Sequence, residues 1–296
     1  VVRRLVVEAA WHYLHFPRWL FLALPHLGCL LSLATVASIT WRVTRDARAV
    51  FYAALLTATA SWFFVSTGWL AYFDSWLILA LVLASFARTR AVLFTAAVLA
   101  PWVDERFILA LPICAAVRAI NIEGNSFDRR AWWRDLAVLA AGLVPYLAVR
   151  LGAEISQVRE TSKSYWADRP LWPAPPGGSL WGFWSGLRLG WFAVAWAFAA
   201  WSGQSRWLAL AAVTAALGVN FCVADDLSRS MSVATPLLLA GVLQLWRTQP
   251  ARARRVMPWL CVGNLLLPAH HVIASPGSVE KPYHTVPILS LPAEWA

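Results

Sequence analysis

The chain is a series of apolar runs of helical length, separated by turns too short to fold into anything of their own. Backbone entering an apolar phase must satisfy its N–H and C=O groups internally, so such runs read as helices. At about 20 residues per crossing, spans are expected near 19–41, 50–72, 136–151, 182–201, 207–223, 230–246 and 256–272. Three shorter runs, 75–87, 91–103 and 106–118, bring the total to about ten apolar segments. Thirteen helical residues reach only about 20 Å, short of a roughly 30 Å hydrocarbon core. The short runs are therefore expected either beside a water-filled cavity or as a re-entrant pair. In both cases 75–87 and 91–103 form a hairpin at Arg88-Thr89-Arg90. The expected fold is all-α: a polytopic transmembrane helical bundle over 1–272, followed by an outer tail, 273–296.

Composition agrees with a membrane protein: 60% apolar residues, 14% charged, and a mean hydropathy of +0.59. The net charge of +10 does not describe a nucleic-acid surface, because the arginines lie in short loops between apolar runs, where charge sets topology. Fourteen of the 25 Lys and Arg fall in one set of loops, at 42–48, 88–90, 118–134, 206 and 247–255. Only Asp46, Glu123, Asp128 and Asp135 accompany them, so these loops are expected on the cytoplasmic side. The other 11 of the 15 acids lie at the opposite ends of the runs. Asp74, Asp104, Glu105, Asp225 and Asp226 sit there in very short turns. Carboxylates at a membrane boundary are costly unless paired, hydrated or used, so their return to one face points to a polar pocket on the outer side. An excess of Arg over Lys, 23 to 2, reads as a GC-rich bacterial source and hence an inner membrane. On this topology the first visible span enters from outside, and an earlier span is expected upstream of Val1.

Residues 1–18 read as an amphipathic segment on the outer surface, with Leu5, Val6, Ala9, Tyr13 and Phe16 near one face. Residues 152–181 read as an outer loop ending in a rigid run, Pro170 to Gly178, that either caps a cavity or simply connects two spans. Cys29, Cys114, Cys222 and Cys261 lie inside apolar runs without C-x-x-C spacing and read as small core residues. His12 with His15, and His270 with His271, lack a third ligand, so no metal and no cofactor are expected.

Four features converge on the outer side: Asp74, the turn Asp104-Glu105-Arg106, the turn Asp225-Asp226-Leu227-Ser228-Arg229, and Arg188 about two turns inside its span. Glu8 is the acid of the N-terminal segment. Carboxylates beside guanidinium groups suit a reaction in which a hydroxyl loses its proton while a phosphate leaves. The carboxylate accepts the proton, and the Arg fork holds phosphate oxygens. The alternative is that Asp104–Arg106 and Asp226–Arg229 are structural ion pairs at helix ends. Gly182, Gly186 and Gly190 form a stripe that reads as helix packing.

At these residues the chain resembles the bacterial type-C glycosyltransferases, membrane enzymes that use polyprenyl-phosphate-linked sugars. The likeness rests on Asp74 at a span end, on D-E-R at 104–106 before a run with Pro112, and on D-D-L-S-R-S before a span with Pro236. It implies a helical bundle with an outer pocket for the donor. Asp74, Asp104 and Glu105 are then the catalytic acids, and Arg106, Arg188 and Arg229 the donor-phosphate ligands. Asp225, Asp226 and Glu8 are further acids of the pocket. The family's acid in the first outer loop falls where this chain has only residues 1–18. The implied partners are the donor, membrane lipid and an acceptor, with no oligomeric state specified. A transporter or flippase of a lipid-linked or anionic substrate is the first alternative, and a catalytically silent membrane scaffold the second.

Overall fold

A computed structural model describes residues 17–68, 72–120, 128–157, 176–199, 205–223, 226–274 and 283–289. Among these described residues thirteen α-helices follow in order: α1 Arg18–Thr44, α2 Ala47–Ala58, α3 Ser61–Gly68, α4 Asp74–Phe86, α5 Arg90–Val103, α6 Arg106–Ala119 and α7 Arg129–Gln157, then α8 Pro176–Leu187, α9 Gly190–Ala199, α10 Ser205–Val223, α11 Leu227–Met231, α12 Thr235–Thr248 and α13 Pro250–Leu266. A 3-10 turn, Ser232–Ala234, joins α11 to α12. Two strands, β1 Ala269–Ala274 and β2 Tyr283–Leu289, pair antiparallel after the last helix.

The helical expectation holds, and α4, α5 and α6 match the three short runs to within about a residue. The expected number of crossings is not supported to the same extent. Among the described residues two helices are long and apolar enough to cross a membrane, Leu22–Thr44 and Arg129–Gly152. A third is obtained only if α2 and α3, bent by 64° at their junction, count as one span. The expected span 50–72 is thus broken at Thr59-Ala60, and 182–201 is broken at Arg188-Leu189. Region 230–246 begins as a short helix and a 3-10 turn before α12. The last expected span, 256–272, ends as helix at Leu266, because Pro268 forces Leu267 into extended backbone (ψ 132°). Its final residues, with part of the expected tail, form the β-hairpin, a departure from an all-α chain. The expected outer loop 152–181 is also trimmed, since α7 runs through 152–157 and α8 starts at Pro176. Of the N-terminal segment, all but residues 17 and 18 lie outside the described residues.

Helices α4 to α7 run up and down. Arg118 near the end of α6 donates to Ala84 O (3.2 Å) and Ala87 O (3.1 Å) at the end of α4. Asp135 near the start of α7 pairs with Arg90 (3.3 Å) and Arg118. At that same end Arg42 of α1 donates to Phe86 O at 3.0 Å. The N-terminus of α4 and the α5–α6 turn therefore lie together at the other end, about 20 Å away along α4. The bundle has a basic end and an acidic end, as the charge pattern predicts.

The glycine stripe is packing. Gly186 faces Met231 and the Ser228 carbonyl, and Gly190 faces Leu238, so α8 and α9 lie close on α11 and α12. The tightest approach is at Gly241 of α12, where an added methyl carbon would sit 2.6 Å from the Ala193 carbonyl carbon and 3.2 Å from Ala197 N. Backbone cannot yield as a side chain can. Gly241→Ala should lower stability by about 1–3 kcal/mol through overpacking, although alanine is the better helix former by about 1 kcal/mol. Gly218, with no atom within 4 Å of the added carbon, should show only that gain on the same change. Thermal melts of the two variants in detergent should move in opposite directions.

Candidate functional site

Asp74 is the first residue of α4, and its place is fixed by hydroxyl and indole bonds around it. Ser75 N–H donates to Ser66 Oγ at 3.0 Å, and Ser75 Oγ donates to Pro25 O at 2.8 Å. Ser32 Oγ donates to Ser75 O at 2.8 Å, and Trp76 Nε1 to Leu24 O at 2.9 Å. Gly28 makes room for Trp76 against α1. The α4 N-terminus is thereby fastened to α1 and α3, and its positive dipole end favours the carboxylate placed there.

Two arginines from distant parts of the chain converge on Asp74. Arg229 binds it as a fork, Nε to Oδ2 at 2.7 Å and Nη2 to Oδ1 at 3.0 Å. Arg106 Nη2 also donates to Oδ1. Each arginine holds a second acid. Arg106 grips Asp104 through Nε at 3.0 and 3.1 Å and through Nη2 at 2.6 Å. Arg229 Nη1 reaches Asp226 Oδ2 at 3.0 Å. Both outer acids also shape the backbone, Asp104 accepting Arg106 N–H at 2.9 Å and Asp226 capping α11 at Arg229 N–H, 3.2 Å. Tyr72 covers Arg229, ring centroid to guanidinium carbon 3.9 Å. His271 of β1 brings Nε2 to 3.2 Å from Asp226 Oδ2. Among the described residues, three carboxylates and one imidazole surround two guanidinium groups. The Asp74 side chain is 0% exposed, whereas Asp104 and Asp226 keep 17% and 16% at the rim.

The site thus unites Asp74, Asp104, Arg106, Asp226 and Arg229 of the residues singled out in the sequence. Glu105 stands beside it, more exposed at 38%, with Oε1 3.6 Å from Arg150 of α7. Glu8 and Asp225 lie outside the described residues. Arg188 is not brought to this group. It is wholly buried, with backbone in the left-handed region (φ 50°). Its guanidinium donates to Asn264 O (2.6 Å), Leu267 O (2.7 Å) and Thr59 O. Those carbonyls belong to the C-terminal ends of α13 and α2, where a cation offsets the helix dipoles. Its expected part in phosphate binding is therefore withdrawn. The three-arginine site becomes a two-arginine site.

The sequence gives no site role to Tyr72, His271 or Asn264. Asn264 accepts Leu189 N–H at 2.8 Å and donates to Thr59 Oγ1 at 2.9 Å. A lone Asn inside an apolar run was the available signal for it. The sequence presents His271 only beside His270, without a third ligand, and its place next to Asp226 comes from the turn of the chain into β1.

The groups in turns and strand, outside the helices, titrate differently from one another. At Asp104 burial works to raise the pKa, but Arg106 beside it prevails and holds it below the usual carboxylate range. At Asp226 burial prevails over Arg229 and His271 and raises it. Burial lowers that of His271, which is neutral near pH 7.

Removing one member of a buried ion pair costs about 3–5 kcal/mol, because the partner is left uncompensated. Asp74→Asn should destabilise by that order. Asp104→Asn, at the partly exposed rim, should cost clearly less. Chemical-denaturation midpoints of the two variants test the ranking, and equal losses would contradict it.

A second outcome concerns pH. The folded pKa of His271 lies below its unfolded value of about 6.5, so on acidification the unfolded chain takes up the proton first. Stability should therefore be full above about pH 6.5 and fall below it. Asp226 works oppositely: its raised pKa favours the folded state at low pH, and that contribution is lost as pH rises through the raised value. If His271 dominates, melting temperature drops between pH 7.5 and 5.5 (both about one unit from 6.5), and His271→Gln flattens the drop. An unchanged drop in His271→Gln removes the histidine from the account.

No family model, curated protein or solved structure matches the chain, so the chemistry of the site rests on its own residues.

Proposed function

We propose that the chain is an integral membrane glycosyltransferase of the bacterial inner membrane that takes a sugar from a polyprenyl-phosphate donor at the outer face. One observation supports this reading above the others. Acids and arginines from four separate segments meet at one end of the bundle, with Asp104 and Glu105 left at the accessible rim. The two arginines supply planar forks of the kind that hold phosphate oxygens. Among the described residues Asp104 is held by Arg106 alone, and it sits at the rim, so it is the carboxylate a donor phosphate would displace. Glu105, bound only loosely by Arg150, is the acid free to take a proton.

In the reaction, the acceptor hydroxyl oxygen forms a bond to the anomeric carbon of the sugar. The bond from that carbon to the phosphate oxygen breaks, and its electron pair leaves on the polyprenyl phosphate. The hydroxyl proton passes to Glu105. Arg106 and Arg229 stabilise the charge gathering on the leaving phosphate, where fixed charges act most strongly away from water. Asp74 holds both forks in place and is not itself a proton acceptor, since both its oxygens are already taken by guanidinium N–H groups.

The mutual saturation of these charges also favours a second reading, a silent scaffold in which the acids only stitch helix ends. The two readings part on Glu105, which contributes little to the buried cluster. Glu105→Gln, in membranes supplied with a labelled polyprenyl-phosphate sugar, should lower transfer by about 10²–10⁴-fold with melting unchanged. Transfer at the wild-type level in Glu105→Gln and Asp104→Asn alike would reject these roles.

A further inference from the structure

The basic end of the bundle carries a feature that sugar transfer does not use. A cavity of about 300 Å³ opens between the start of α2 and the start of α13, lined by Ala47, Arg48, Phe51, Tyr52 and Arg254. Asp46 caps α2 through Arg48 N–H at 2.8 Å and accepts Arg254 at 3.2 Å and Trp246 Nε1 at 3.3 Å. One carboxylate therefore serves one of the two arginines. The Arg48 guanidinium makes no ion pair with any described residue and is exposed. The flanking segments 42–48 and 247–255 also hold Arg42, Arg45, Arg247, Arg252 and Arg255, against Asp46 as the sole acid of either segment; of these, Arg42 is turned to Phe86 O and Arg252 lies over Trp196. The charge of these segments is strongly positive, and the N-terminal end of α2, at Ala47 and Arg48, lies at the cavity.

The wall is aromatic as well as basic. Phe51 is 60% exposed on an otherwise apolar helix, and Tyr52 packs edge-on to it with centroids 5.4 Å apart. An aqueous anion has no use for an exposed phenylalanine, whereas a molecule with a phosphate head and an apolar body uses both. We propose that this cavity binds the phosphate of an anionic membrane lipid, with the headgroup between Arg48 and Arg254 and the acyl chains along Phe51. Basic pockets between helices are suited to such headgroups, each arginine contributing about 1 kcal/mol near a charged surface.

The test uses the full chain in phosphatidylcholine nanodiscs doped with phosphatidylglycerol, with retained lipid counted by native mass spectrometry. The wild-type protein should keep phosphatidylglycerol in preference to phosphatidylcholine. Arg48→Gln removes no ion pair with a described residue, so the fold is kept, and retention should fall about fivefold. Arg254→Lys keeps the charge beside Asp46 but loses the fork, and should also reduce retention. Arg129→Gln, at the same end on α7 and away from the cavity, is the control and should change nothing. Undiminished retention in Arg48→Gln, or an equal loss in Arg129→Gln, overturns the site. Thermal protection by inorganic phosphate with no phosphatidylglycerol retained assigns the cavity to a soluble anion and overturns the lipid.

Discussion

A helix that stops inside an apolar bundle leaves carbonyls that lipid cannot satisfy, and the interior of this chain is arranged around that constraint. Three helices, α2, α8 and α13, end near one another. Arg188 and Asn264 supply the missing donors: Arg188 to carbonyls of Thr59, Asn264 and Leu267, Asn264 to Leu187 O at 3.3 Å. A single cation at several negative helix ends costs less than it would alone in a hydrocarbon interior, because each dipole repays part of its desolvation. The breaks in the expected long spans are therefore built features. They turn α3 by 64° from α2 and release β1 to run back across α8 and α11. Because Arg188 already occupies the Thr59 carbonyl, the bend gives no support to the transporter alternative, in which unwound backbone would face an ion.

The acidic end depends on those breaks. Ser61 of α3 donates to Ser228 O at 3.1 Å, and Ser228 Oγ accepts Val272 N–H of β1 at 3.1 Å. Ser228 immediately precedes Arg229, so the bent helix and the strand together fix the arginine that grips Asp74. Gly182 and Gly186 bring α8 against the same short helix, at Leu227 and Met231. The knot around Arg188 and the cluster around Asp74 are thus joined through α11, a helix of five residues. Had 50–72 and 256–272 been continuous, neither Ser61 nor β1 would have had this place in the structure.

Much of this was legible in the sequence, and the unread part has a common cause. Charge pattern located the acidic and basic ends, and Asp74, Arg106 and Arg229 announced themselves as charges within apolar surroundings. Helices α4, α5 and α6 were legible because charged turns bound them on both sides. Arg188 was read at the right depth but given the wrong partner, since hydropathy reports that a cation is buried without reporting whether carboxylates or carbonyls receive it. The breaks at Thr59 and Arg188 carry no proline or charge run to mark them; they exist through contacts with Asn264, some 75 to 205 residues away in sequence. His271 escaped for a similar reason, because an apolar run followed by a hairpin resembles the end of a span.

Within the cluster, exposure rises outward from the keystone. Asp74 is sealed, its two arginines are nearly so, Asp104 and Asp226 reach the rim, and Glu105 lies beyond it. That order constrains any chemistry the site performs. A group whose oxygens all accept charged donors cannot exchange a proton without losing those bonds, each worth roughly 1.5–3 kcal/mol. Asp74 is therefore the group least able to act as a base, although it is the most conspicuous acid in the sequence. Its work is to hold two like-charged forks side by side, which would otherwise repel. An anion entering from the rim would meet Asp104 or Asp226 before Asp74, and exchanging one anion for another on Arg106 would keep the local charge nearly balanced. The same entry by way of Arg229 would have to displace Asp226, which also faces His271. The rim acids, and not Asp74, are accordingly the part of this cluster that can be used without dismantling it.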